Sequence, residues 1–211
     1  RGARCGAGAL WPPFGRARAN APCFTKSPSP SPHTRTRRGG NPSGQLGTVG
    51  YSPSASSAPL VVQASGGGAL AGVASVSAGT EFACARAADG AQAWCWGNDD
   101  WSQLGNGGST STAAGAVVVT NPGGGAPITW TQVEAFDRHA CGRGAAGAYC
   151  WGFAEYAGVS PVPGANVAAP VAVSAAPTPQ TWARLSSGCA GQTTVAVADD
   201  DAAIYGWGAR R

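Results

Sequence analysis

The dipeptide Trp-Gly recurs at Trp96-Gly97, Trp151-Gly152 and Trp207-Gly208, at intervals of 55 and 56 residues. A pitch held that closely marks an internal repeat, and repeats of roughly 40–60 residues built from short strands are the signature of propeller blades. Other positions keep the same phase. Trp130 and Trp182 match, with Val73 at their place in the first copy, and Val76, Val133 and Leu185 match one another. Leu46 and Leu104 lie 58 residues apart, and Arg38-Gly39 falls where an earlier Trp-Gly would stand. After the second Trp-Gly the loop sequence is eroded to "FAEYAGVS" (153–160).

Composition explains why tryptophan carries the pattern. Leu, Ile, Val and Phe total only 29 of 211 residues, below the roughly 20 % expected of a globular chain, whereas Ala and Gly total 76. Buried area must come from the large aromatics, at roughly 150–250 Å² each. No run approaches the ~18 apolar residues of a membrane span, so none is expected. The chain has no methionine, even at position 1, which suggests a fragment or processed product.

Charge divides the chain. Residues 1–40 hold eight of the fourteen Lys and Arg, and the first acid is Glu81, giving +8 over 1–80 and −4 over 81–211. "SPSPSPHTRTRRGG" (27–40) is rich in proline, which lacks an amide donor and fixes φ. Residues 1–40 are expected to be a disordered, low-complexity basic segment. A nucleic-acid arm would need interleaved aromatics or a defined basic face, and neither is present. The folded part is expected over 41–211, with repeats ending near 97, 152 and 208.

The first hairpin fixes a cysteine pairing. Asp89-Gly90 read as a two-residue turn sets Ala88 opposite Ala91. Four residues back along each arm, Cys84 then faces Cys95, at a hydrogen-bonded pair of the ladder. Cys141 and Cys150 repeat the arrangement with a shorter turn, while the third copy holds Val195 and Gly206 at those places. The joint loss of both cysteines is what a bonded pair would show. Cys84, Cys95, Cys141 and Cys150 are therefore disulfide candidates, the alternative being two buried free thiols per blade; bonded, they imply an oxidising compartment. Cys5 and Cys23 could form a third pair, leaving Cys189. Trp94 and Trp96 point to one side of their strand and Cys95 to the other. The indole side is expected to pack on the next blade, with Asn98-Asp99-Asp100 turning and Leu104 returning to the core.

These elements resemble a named repeat. Gly79 and Phe82, then Phe136 and His139, occupy a Gly and His place three apart. A small-residue hairpin ending in Trp-Gly follows, and then "NPSGQLG" (41–47) or Gln103-Leu104-Gly105. The combination resembles the repeat of the regulator of chromosome condensation family, over about 41–211. The resemblance implies an all-β, partial β-propeller of about three antiparallel four-stranded blades, where the family ring has seven. It implies structural roles for Gly79, Trp96, Gly97, Gln103, Leu104, Gly105, His139, Trp151, Gly152, Trp207 and Gly208.

No residues arrange themselves as a reaction centre. His139 has Cys141, Glu134 and Asp137 near it in sequence but sits at the repeated His place. His33 has no partners, and Asp199-Asp200-Asp201 reads as a solvated turn. No phosphate loop, dinucleotide fingerprint or nucleophile elbow occurs. No catalytic, cofactor-binding or metal residue is assigned, and neither a cofactor nor a small-molecule substrate is expected. The expected function is a non-catalytic protein-binding module from a larger secreted or receptor-type protein, extracellular, its partner a protein. The alternative, implied by the family, is an intracellular regulator in nucleus or cytoplasm. It would act as a guanine nucleotide exchange factor for a small GTPase, or as a chromatin-associated scaffold.

Overall fold

Alternating small and large residues, punctuated by glycine, fold into antiparallel sheets of consecutive strands. The computed structural model describes residues 39–108, 115–122, 126–159, 165–173, 181–186, 191–199 and 203–208. Residues 1–38, with Cys5, Cys23 and His33, lie outside the described residues, as do Cys189, Asp200 and Asp201. A short ladder of β1 (Gly39–Gly40) with β2 (Ala55–Ser56) comes first. The first blade is β3 (Val73–Ala78), β4 (Phe82–Ala87), β5 (Ala93–Gly97) and β6 (Val117–Val118), paired in that order. The second is β7 (Trp130–Ala135), β8 (His139–Gly144), β9 (Gly147–Phe153) and β10 (Asn166–Ala172), with a one-turn helix α1 (Ala154–Ala157) between its last two strands. The third shows β11 (Trp182–Ser186), β12 (Thr193–Ala198) and β13 (Ile204–Gly208), three strands among the described residues rather than four. The described residues form a partial, nearly all-β propeller of antiparallel blades.

Both cysteine pairs face each other. Cys84 stands opposite Cys95 and Cys141 opposite Cys150, each joined as a disulfide with Cα atoms 4.1 Å apart. The turn of the first hairpin differs from the expected one. Ala87 N donates to Gln92 O and Gly90 N to Ala87 O, which makes a four-residue loop, Ala88–Ala91. Asp89 Oδ1 accepts from Ala91 N at 2.9 Å, and this local bond holds Ala91 in the loop and out of the ladder. The register survives but the hydrogen-bonding phase shifts by one residue. Cys84 and Cys95 thus fall on a non-hydrogen-bonded pair, where facing Cα atoms come closest. The second hairpin reaches the same phase with Ala145-Ala146 as a two-residue turn after Gly144 faces Gly147.

The faces of the blades are also assigned differently from the sequence reading. Cys84, Cys95 and Ala93 pack with Trp130, Val133 and Trp151 of the second blade. Cys141, Cys150 and Ala148 pack with Trp182, Leu185 and Ala196 of the third. The bridge therefore faces the next blade and the indoles face the previous one. The physical reason lies in the loops: Trp96 and Trp151 reach back because the loop of the preceding repeat offers a carbonyl to each indole.

Candidate functional site

Two repeat loops, 41–47 and 99–105, are built by their own side chains. Asn41 Oδ1 accepts from Leu46 N, and Asp99 Oδ1 from Leu104 N, both at 2.9 Å. Gln45 Oε1 accepts from Ser43 N at 2.9 Å, and Gln103 Oε1 from Trp101 N at 2.8 Å. The two loops thus fold alike despite Asn in one and Asp in the other. Each turns its Gln carbonyl toward the following blade. Trp96 Nε1 donates to Gln45 O at 3.1 Å, and Trp151 Nε1 to Gln103 O at 3.0 Å. Glycine is required beside the indole: Gly105 has φ +64°, and a Cβ there would lie 2.6 Å from Trp151 Nε1. Glycine is required after it too. Gly152 has φ +102°, and a Cβ would lie 2.7 Å from Arg138 O. Where the loop is eroded, Gly158 still lies against Trp207, but Trp207 Nε1 has no hydrogen-bond partner among the described residues.

The remaining repeat positions serve the seams. Gly79 passes so close to Phe136 O that no Cβ fits. Leu104 is fully buried. His139 is fully buried, its Nε2 lies 2.9 Å from Thr194 Oγ1 of the next blade, and burial pushes its pKa down to about 3. A neutral imidazole sealed between blades joins them and reaches no solvent. Among the described residues no group of three His, Cys, Asp or Glu side chains is placed to hold a metal ion.

Two seam residues have a clear sequence signal that the cysteine spacing alone did not reveal. Arg86 and Arg143 each stand two residues after the first cysteine of their hairpin. Arg86 Nη1 donates to Trp130 O at 3.5 Å, and Arg143 Nη1 donates to Trp182 O. Each arginine fastens its blade to the first tryptophan of the next. Gln132 adds a two-way bond to Leu185, donating to its O at 2.9 Å and accepting from its N at 3.0 Å.

At the loop end of the stack these contacts surface as a row of rings. The Arg138 guanidinium sits 5.0 Å over the Trp101 ring. Trp101 meets Phe153 edge-on at 4.8 Å, and Phe153 meets Tyr156 edge-on at 4.8 Å. The three rings are half-buried, and Arg138, Asp100 and Glu155 beside them are exposed. Edge-to-face ring pairs contribute about 0.5–1.5 kcal/mol each and hold such side chains in place. The row spans two blades: Trp101 comes from the first, the others from the second. Sequence reading missed it because Trp101, Arg138, Phe153 and Tyr156 share no repeat phase.

No protein-family model matches the sequence, and no curated protein matches it either. Solved structures do. The crystal structure of human WBSCR16 is similar with a TM-score of 0.55 and 18 % identity, over 64 % of this chain and 33 % of that one. Prp20p of Saccharomyces cerevisiae matches with a TM-score of 0.49 and 16 % identity, over 64 % of this chain and 32 % of that one. The entire ectodomain of the Physcomitrella patens receptor kinase CR4 matches with a TM-score of 0.41 and 20 % identity, over 67 % of this chain and 31 % of that one. The chain spans about a third of the length of each. At these identities the likeness to WBSCR16 concerns the fold alone.

Proposed function

We propose that residues 41–211 act as a non-catalytic protein-binding module, and that its partner meets the loop end carrying Arg138, Trp101, Phe153 and Tyr156. The row of rings is the observation that carries this reading. Trp, Tyr and Arg are the residue types that dominate interface energetics, and here mutual packing preorders them on a rigid stack. The repeat positions from Gly79 to Gly208 serve that rigidity, not chemistry. The two disulfides support a secreted or receptor-type setting, because such bonds persist in oxidising compartments.

The test is directional. A photo-crosslinking residue at Glu155, beside Tyr156, should capture a protein from extracellular fluid, while the same residue at Asp89, at the opposite strand ends, should not. Capture at Glu155 should vanish in Trp101→Ala with the unfolding midpoint little changed. Equal capture at both ends, or capture indifferent to Trp101, would overturn the assignment of this face.

A further inference from the structure

The row of rings is bordered by charge of one sign. Glu81, Asp100, Asp137 and Glu155 lie in the turns, loop and helix at this end, and Arg138 is the one cation there among the described residues. Glu81 O accepts from Asn98 N, and Arg138 O from Phe153 N, both at 2.9 Å. The two turns therefore adjoin the loops that carry Trp101 and Phe153. Arg138 also shows how a cation is received, with its guanidinium 5.0 Å over the Trp101 ring. An occupant matched to this surface brings cations together with an extended stretch suited to aromatic faces.

The chain carries such a segment. Residues 1–40 hold eight Lys and Arg and no acid. Within them residues 27–32 alternate Ser and Pro, and Arg35, Arg37 and Arg38 follow. Proline fixes φ near its polyproline value, so a run of this kind meets aromatic-lined grooves at low entropic cost. The point of entry suits the contact. β1 leads directly into the loop 41–47, at the same end of the stack as Trp101. Residues that follow it lie on the first blade, where Val62 and Leu70 pack with Ala85 and Trp96. Sheets stack about 10 Å apart, so the row starts about one blade from Gly39. Residues 27–38 extend to about 40 Å and reach across it.

We propose that residues 27–38 dock on the ring row of their own chain, prolines against the rings and arginines toward the carboxylates beside them. The segment then covers the surface until a protein partner displaces it. This occupant rests on the reading of the row as the recognition surface. Tethering holds the segment at an effective concentration of about millimolar, so a contact too weak to persist between separate molecules keeps the surface covered.

A photo-crosslinking residue at His33 of the full chain, purified without any partner, tests the contact. Mass spectrometry should map the product to Trp101, Phe153, Tyr156 or their immediate neighbours. The product should keep the 20.8 kDa mass of one chain, and its yield should be unchanged by dilution and lowered by salt. Arg35→Glu, Arg37→Glu and Arg38→Glu together should lower the yield several-fold. Adding Glu81→Arg and Glu155→Arg, both at exposed positions, should restore it. Products that form equally beside Asp89 at the opposite strand ends would show charge attraction without the rings. That result, products only between chains, or a yield indifferent to the arginine reversal would each overturn the proposal. The crosslink needs no partner, so its failure leaves the capture expected at Glu155 standing, whereas failed capture beside a formed crosslink strikes the protein-partner reading alone.

Discussion

Asp99 is an acid in a place built for an amide, and replacing it should stabilise the protein in a pH-dependent way. Asn41, its counterpart one repeat earlier, uses both ends of its side chain. Its Oδ1 accepts from Leu46 N, while its Nδ2 donates to Thr48 Oγ1 at 3.2 Å and Pro53 O at 3.1 Å. Asp99 matches the first contact through Oδ1, but its buried Oδ2 has no partner. Asp99 is 0 % exposed, and burial pushes its carboxyl from 3.8 up to about 6, opposed by the Leu104 amide and aided by the Asp100 charge. The folded value lies above the unfolded one, so the native state holds the proton more tightly. Stability is then highest below about pH 4 and falls as pH rises through about 6. A shift of that size amounts to ~3 kcal/mol, and solvent screening reduces it to ~1–3 kcal/mol. Asp99→Asn cannot ionise and escapes this loss. Urea titrations followed by tryptophan fluorescence, for both proteins from pH 4 to 8, should show the variant gaining on wild type by that amount. A constant gap across the range would refute the reasoning, because any change in packing alone is independent of pH.

Two further experiments test the repeat geometry. Val195→Cys with Gly206→Cys should form a third disulfide, because these residues face each other in the phase of the two native pairs, and a Cβ on Gly206 meets nothing closer than 3.7 Å. Peptide mapping after alkylation should find the bridge, and its reduction should cost ~3 kcal/mol, the chain-entropy value for a loop this short; two free thiols would count against the register. Gly105→Ala should cost ~2–4 kcal/mol, since it strains a left-handed backbone and displaces Trp151, whereas Gly107→Ala, with φ +87° and its nearest neighbour at 3.9 Å, should cost only ~1 kcal/mol. Equal losses in denaturant unfolding would remove the indole contact as the reason for glycine.

Spacing carried the fold because backbone periodicity leaves a trace at every pitch. Trp96, Trp151 and Trp207 announced three repeats, and paired cysteines announced a ladder register that the structure keeps residue for residue. The hydrogen-bonding phase was not legible, since it depends on whether the Asp89 side chain takes the Ala91 amide out of the ladder. The handedness of the faces was not legible either. Alternation says that Cys95 and Trp96 point to opposite sides, but only the Gln45 carbonyl, 51 residues upstream of Trp96, says which side is which.

The same distinction explains why the loop end escaped notice. A seam is repeated, so each of its residues is sampled more than once and internal comparison exposes it. A recognition surface is made once. Trp101, Arg138, Phe153 and Tyr156 gather from a loop, a turn, a strand end and a helix, and nothing in their spacing connects them. What marks them is departure from the repeat. Phe153 and Tyr156 lie in the eroded stretch that became α1, and Arg138 directly precedes His139. In a repeat protein, positions that keep the pitch hold the stack together, so the copies that break it are where a surface specific to this chain can arise.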